Sequence, residues 1–237
     1  MKKLIWANFK MNIFHNEIDW YFEKFNELYQ ADENKDVVFT PMFTSIEKTA
    51  NLLKDCQLWA QNVWLEDSWA YTSQVSPLEL KQLCCTYCIV WHSESREYLA
   101  EIDEEINQKI KKLLEHWIRP ILCVWESLED FEEDKWLEKV EQQVKYAIQW
   151  IDASKIDIAY EPLWAIWTWK SADWAYADKI HTHIRNIIWN QESRIIYWWS
   201  VKPENVEEFS KYESINWFLV GSAALDPEKF LQIIEKS

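Results

Sequence analysis

Glycine is all but missing from this chain, which has 237 residues and only Gly221. An ordinary domain is about 7 % glycine, so roughly 17 are expected at this length. Turns, helix ends and phosphate-gripping loops need positive φ or a close backbone approach, and glycine supplies both at no steric cost. Tryptophan, normally among the rarest residues, occurs 18 times. The two counts look exchanged. One account is a codon, UGA, read as glycine in the living cell and written here as tryptophan. The competing account is a truly tryptophan-rich chain, which must explain why its indoles stand at turn positions.

Positive charge is also scarce: 25 Lys and Arg stand against 40 Asp and Glu, for a net charge of -15. Such a balance argues against nucleic acid or an anionic membrane as partner. An anionic substrate would need a local binding charge. No apolar run reaches the length of a membrane span. Met1-Lys2-Lys3 is basic, but the apolar run behind it breaks at Asn8 and Lys10, so no signal peptide is expected and the chain reads as cytoplasmic. Five cysteines, an odd number, suggest reduced thiols. Cys84, Cys85 and Cys88 lack the histidine or second cysteine pair that would complete a tetrahedral metal set.

What is present is a regular alternation. Short apolar segments, rich in Ile and Val, predict strands at Leu4–Phe9, Val37–Phe39, Gln57–Gln61, Cys88–Val90, Arg119–Val124, Ile156–Tyr160, Arg194–Tyr197 and Phe218–Val220. Between them lie predicted helices: Ile18–Leu28, with Ile18, Tyr21, Phe22, Phe25 and Leu28 at helical spacing, then Thr44–Leu53, a segment entered at Pro77, and Asp103–His116. Leu137–Gln149, Ala175–Ile188, Pro203–Phe209 and Pro227–Ile234 complete the set. Thr44 or Ser45 is the expected cap of the second helix, and the acidic run Glu126–Asp134 reads as a solvated loop. Eight strand–helix units of about thirty residues each suit one closed parallel (βα)8 barrel over residues 1–237, ahead of an open doubly wound sheet.

In such a barrel, residues just after the strands share one mouth. That places Asn8 and Lys10, then His92, Ser93 and Glu94, then Glu161, Ser200, Gly221 and Ser222 at a single face. Glu161 ends a strand and Pro162 follows, so the chain does not run straight into a helix there. Taken singly, Lys10 is a surface charge, His92 a structural histidine and Glu94 a structural partner. Lysine, histidine and glutamate converging on one mouth make a compact set for proton chemistry on a small anion.

These residues carry a resemblance to triosephosphate isomerase along the whole chain. The matching segments are A-N-F-K-M-N (Ala7–Asn12), W-A-Q-N-V (Trp59–Val63), A-Y-T-S-Q-V-S-P (Ala70–Pro77), W-H-S-E (Trp91–Glu94) and C-V-W-E (Cys123–Glu126). A-Y-E-P-L-W-A-I-W-T-W-K (Ala159–Lys170), Y-W-W-S-V-K-P-E-N (Tyr197–Asn205) and W-F-L-V-G (Trp217–Gly221) follow in order. The resemblance implies a TIM barrel that interconverts dihydroxyacetone phosphate and D-glyceraldehyde 3-phosphate through an enediolate. It implies Glu161 as base, His92 as neutral electrophile, Lys10 as positive charge for phosphate and enediolate, and Asn8 and Glu94 as orienting groups. Phosphate would lie on residues 167 and 199 (here Trp167 and Trp199), Ser200, Gly221 and Ser222, under a closing loop Ala165–Lys170. No cofactor or metal is implied.

The resemblance further implies a homodimer, with Thr72 in the long Asn62–Ser76 loop reaching the neighbour's Asn8 and Lys10. Ser95 departs from a family arginine, and Ser73 and Ser222 replace frequent glycines; the first bears on interface anchoring. The family has glycine where this chain has Trp59, Trp69, Trp91, Trp117, Trp125, Trp167, Trp169, Trp198, Trp199 and Trp217, and a small residue at Trp6. Trp164 matches a family tryptophan, whereas Trp20, Trp64, Trp136, Trp150, Trp174 and Trp189 are left open. The alternative function is a non-catalytic barrel, which follows if the tryptophans are real and fill the phosphate site.

Overall fold

Strand β6 (Asp157–Pro162) is buried at all six positions. A strand covered on both faces belongs inside a parallel sheet sheathed by helices. The computed structural model describes residues 2–163, 174–198, 201–209 and 217–237. In it, β1 (Lys3–Asn8), β2 (Lys35–Thr40), β3 (Gln57–Ala60), β4 (Tyr87–Val90), β5 (Arg119–Glu126), β6, β7 (Ile195–Trp198) and β8 (Trp217–Val220) pair in chain order. All pairs are parallel, and β8 returns to β1, with Leu4 opposite Trp217 and Ala7 opposite Val220, closing the barrel. The expected (βα)8 architecture is the one observed.

Period-two alternation sorts the strand side chains into two cores. Leu4, Trp6, Ile89, Cys123, Ala159 and Leu219 fill the barrel interior. Ile5, Ala7, Val90, Val124, Ile158 and Tyr160 face the helices in a second, larger cluster. Helix α1 (Ile18–Leu28) buries Ile18, Tyr21, Phe22 and Phe25, four of the five residues whose spacing predicted it; Leu28 is exposed. Helices α2 (Ile46–Leu52), α3 (Pro77–Gln82) and α5 (Asp103–Glu115) follow β2, β3 and β4. Helices α7 (Trp136–Ala147), α8 (Trp174–Ile188), α9 (Val206–Phe209) and α10 (Pro227–Lys236) complete the ring.

Several local expectations are corrected. Helix α4 (Ser93–Leu99) directly follows β4, and it has no buried residue and hence no apolar stripe to reveal it. The acidic run is not a solvated loop: Glu126 is fully buried at the end of β5, and Leu128–Glu132 forms helix α6. Ser127 and Asp130 close a reciprocal capping box at its start. Ser45 occupies the position before α2, but its hydroxyl caps nothing. Pro203 lies in a turn, and α9 begins at Val206.

The backbone also separates the tryptophans. Trp69, Trp91, Trp117, Trp150 and Trp189 all have positive φ, at 136°, 68°, 56°, 63° and 52°. Trp117 and Trp189 come just past the ends of α5 and α8, where glycine ordinarily ends a helix. Trp69, Trp117, Trp150 and Trp189 are 88 %, 83 %, 89 % and 90 % exposed, so packing does not hold these indoles. Trp59, Trp64, Trp91 and Trp125 have buried indole N–H groups with no acceptor among the described residues. Trp136 differs, because it is buried in a helix and donates to Asp134 Oδ1 at 2.9 Å.

Candidate active site

Each candidate side chain is set by the way its strand ends. Asn8, the last residue of β1, is on the inward parity of Leu4 and Trp6. Its Oδ1 accepts the Lys10 backbone N–H at 2.9 Å. Lys10 is left-handed, with φ 49°, a conformation that costs a lysine roughly 1–2 kcal/mol and is held by its surroundings. Gln61 donates to the Lys10 carbonyl at 2.7 Å and to the Thr40 carbonyl at 3.2 Å, bridging the ends of β1 and β2. The motif W-A-Q-N-V contains Gln61, but its position after β3 gave no sign of this role.

His92 is the N-cap of α4, and its Nδ1 accepts the Glu94 backbone N–H at 3.1 Å. With Nδ1 accepting, a neutral imidazole carries its proton on Nε2. That nitrogen lies 3.4 Å from Glu161 Oε1. Burial, reinforced by the Lys10 charge, pushes the His92 pKa down to about 3. The ring is therefore neutral at ordinary pH.

Glu161 is inward on β6, on the parity of Ala159, and it is 1 % exposed. Its Oε2 accepts the Ser93 backbone N–H at 3.1 Å. Burial raises its pKa to about 7, against the lowering influence of Ser93 and Lys10, while Glu94 adds to the rise. Lys10 Nζ reaches Glu94 Oε1 at 2.6 Å, and both groups remain partly exposed to the mouth. Asn8, Lys10, Gln61, His92, Glu94 and Ser95 line a cavity of about 170 Å³ here.

Gly221 and Ser222 follow β8 at the same end of the barrel. Gly221 has φ -79°, and a Cβ built there would meet nothing within 4 Å. Residues 167, 199 and 200 lie outside the described residues, as does the Ala165–Lys170 segment. Beside the mouth, Lys109 Nζ pairs with Glu101 Oε1 at 2.5 Å, and Asn62 bonds to both, at 2.9 and 2.6 Å. The buried Lys109–Glu101 pair and the half-buried Asn62 root the Asn62–Ser76 loop. Among the described residues no helix is long and apolar enough to cross a membrane.

A closed parallel barrel with a carboxylate, a neutral imidazole and an ammonium at the C-terminal ends of its strands defines a barrel enzyme built for proton transfer. The family model described as triosephosphate isomerase matches residues 3–237. The chain is 41 % identical to the triosephosphate isomerase of Aquifex aeolicus (strain VF5), over 99 % of each sequence. It is 39 % identical to that of Dictyoglomus turgidum (strain DSM 6724 / Z-1310), over 98 % of each, and 40 % identical to that of Dictyoglomus thermophilum (strain ATCC 35947 / DSM 3960 / H-6-12), over 99 % of each. The chain belongs to the triosephosphate isomerase family.

Proposed function

We propose that this protein interconverts dihydroxyacetone phosphate and D-glyceraldehyde 3-phosphate by proton transfer through an enediolate. The observation that carries the reading is the meeting of His92 Nε2 and Glu161 Oε1 at 3.4 Å in a buried pocket. Glu161, with a pKa near 7, is matched to taking a proton from the carbon beside a carbonyl and returning it to the neighbouring carbon. His92 presents an N–H rather than a full charge to the carbonyl oxygen, stabilising the developing enediolate. Lys10 supplies positive charge to that oxygen and to the phosphate, with Asn8 and Glu94 fixing where its ammonium points. The open space over Gly221 suits a phosphate held by backbone N–H groups, with Ser222 beside it. Residues 167, 199 and 200 would complete that grip.

The finer reading has three parts. First, most tryptophans stand for glycine in the living protein. Support comes from the five left-handed tryptophans and the four unsatisfied buried indoles, with Trp91 in both sets. At about 1–3 kcal/mol for each strained site, five sites approach a whole domain's net stability of roughly 5–15 kcal/mol. The positive φ at Trp150 and Trp189, both open on sequence grounds, supports reading them as glycine too, whereas the buried, hydrogen-bonded indole of Trp136 speaks against it there. Second, the protein is a homodimer through the Asn62–Ser76 loop, which exposes Thr72, beside a rim where Met11, Phe14, Tyr98 and Leu99 are exposed. Third, it works in the cytoplasm, with reduced cysteines.

Glu161→Asp tests the mechanism: it should lose most turnover in a coupled isomerase assay while binding a phosphorylated substrate analogue nearly normally. Equal activity in that variant sinks the assignment of the base. Intact mass of the protein from its native host tests the recoding. A chain lighter than the written one by more than ten indole side chains is expected, and a mass equal to the written sequence ends the idea.

A further inference from the structure

Behind Glu161, on the outer side of the barrel wall, sits a carboxylate outside the acid–base set. Glu126 ends β5 and is fully buried. In the strand register Glu126 stands opposite Pro162, and Trp125 stands opposite Glu161. Glu161 faces the mouth, whereas Tyr160, one residue earlier, faces outward toward Glu126. The Tyr160 hydroxyl donates to Glu126 Oε1 at 2.5 Å. Tyr176, in the first turn of α8, donates to the same oxygen at 2.9 Å. Phe131 and Trp136 pack on the Tyr176 ring, with centroids at 5.5 and 4.5 Å, so the phenol is aimed rather than free to turn.

We propose that Tyr176 is a positioning residue for the isomerase reaction, holding Glu161 in place through Glu126 and Tyr160. This rests on the triosephosphate isomerase reading of the mouth. One carboxylate oxygen receives two phenols, one from the strand that delivers the base and one from the helix that follows it in the chain. Charge-assisted hydrogen bonds of this kind are short and roughly twice as strong as neutral ones. Burial, followed by the Glu126 charge, keeps the Tyr160 phenol protonated far into alkaline pH, so it stays a donor throughout the working range. The two bonds tie the outer sides of β5, β6 and α8 to one point. Tyr160 is a single peptide from Glu161, so whatever loosens Tyr160 also loosens the base. A catalytic carboxylate must sit within about 0.5 Å of its productive place, and a misplacement of 1 Å can cost about a hundredfold in rate.

The test is Tyr176→Phe, which deletes the donor and keeps the ring, beside Tyr176→Gln, which shortens the side chain but keeps an N–H donor. Both are made in the full chain, with isomerase kinetics, the pH dependence of kcat/KM and thermal melting measured together. For Tyr176→Phe a fall in kcat of about tenfold is expected, corresponding to a displacement of roughly half an ångström. KM should stay within about twofold because the phosphate contacts lie elsewhere, and the acid limb of the pH profile should move with the base. Tyr176→Gln should recover at least half of the lost kcat. Glu126→Gln should lower kcat similarly, and adding Tyr176→Phe to it should cost little more. A lowered melting temperature with wild-type kcat and pH profile overturns the proposal, as do equal losses in the Phe and Gln variants. If Tyr176→Phe does not fold, Glu126→Gln decides against its parent: kcat below one-third of the parent's supports the proposal, and kcat above that overturns it. Absence of isomerase activity in the unsubstituted protein would overturn the functional reading and this proposal with it, whereas an active parent with indifferent variants would overturn this proposal alone.

Discussion

Replacing Trp117, Trp150 and Trp189 with glycine should stabilise the chain as written. All three have positive φ, which costs an L-residue roughly 1–2 kcal/mol. All three are more than four-fifths exposed, so removing their indoles returns little apolar surface to water. Glycine carries an opposing cost of about 0.5–1 kcal/mol through its greater freedom in the unfolded chain. The net gain is then about 0.5–1 kcal/mol per site, or roughly 1.5–3 kcal/mol for the three. For a chain of this size that raises the melting temperature by roughly 3–12 °C. Trp117 and Trp150 line one groove of about 730 Å³, so their effects couple, while Trp189 should add independently.

Trp136→Gly is the internal control. Its indole is buried, donates to Asp134 and opens a helix, so its removal should cost about 3–5 kcal/mol in cavity and transfer terms. Urea titrations of the triple variant, the control and the parent read both effects. A triple variant that unfolds at or below the parent's midpoint refutes the strain argument. A control that is equally stabilised shows instead that any tryptophan in this chain is surplus.

Other expected outcomes concern the titrating groups. With Glu161 near pKa 7, kcat/KM should fall about tenfold per pH unit below 7, as a base that must be ionised requires; a flat profile down to pH 5 contradicts that assignment. The folded state holds the Glu161 proton more tightly than the unfolded chain, so ionisation weakens the fold as pH rises from 4.5 to about 7. Glu161→Gln should therefore be more stable than the parent at pH 8, by up to about 3 kcal/mol, and lose that advantage near pH 4. His92 has the opposite sense: its lowered pKa contributes stability above 6.5 that drains away as pH falls toward 3. Nitrogen NMR of the ring should show one protonated Nε2 and a bare Nδ1 at pH 5.5; a doubly protonated ring there excludes the neutral electrophile.

The barrel and most of its mouth could be read from the sequence because both follow local rules. Strands buried on two sides must be short and apolar, and a helix with one buried face must repeat its apolar residues, as α1 does at Ile18, Tyr21, Phe22 and Phe25. What escaped lacked such a signal or hid inside a stronger one. Helix α4 buries nothing, so it left no stripe. Glu126 stands at the head of an acidic run, a pattern that reads as solvated, although Ser127 and Asp130 spell a capping box behind it. Gln61 works through a backbone carbonyl, and no residue pattern announces that kind of contact. The left-handed backbone at Trp150 and Trp189 depends on where helices stop, which is the least certain part of any sequence reading.

The glycine deficit and the active site meet at residue 91. Along β4, Tyr87 and Ile89 face the barrel interior while Cys88 and Val90 face the helices. Continued alternation would carry residue 92 outward, away from the mouth. The left-handed turn at Trp91, with φ 68°, reverses that direction and delivers His92 as the cap of α4, facing Glu161. A residue that must be left-handed to turn His92 toward Glu161 suits glycine, and the chain places there a buried indole whose N–H finds no acceptor among the described residues. It packs within the outer core cluster, with the Arg96 guanidinium 4.1 Å above the ring. Two accounts then differ in sign. If the indole is a core residue, Trp91→Gly should cost about 3–5 kcal/mol, as large aromatic truncations do. If the position belongs to glycine, the substitution relieves roughly 1–3 kcal/mol of backbone strain and about 1–3 kcal/mol from the unsatisfied donor, which offsets the lost burial. Trp91→Gly should then leave stability near the parent's while keeping the His92 ring neutral by NMR, and a loss above about 3 kcal/mol would return Trp91 to the core.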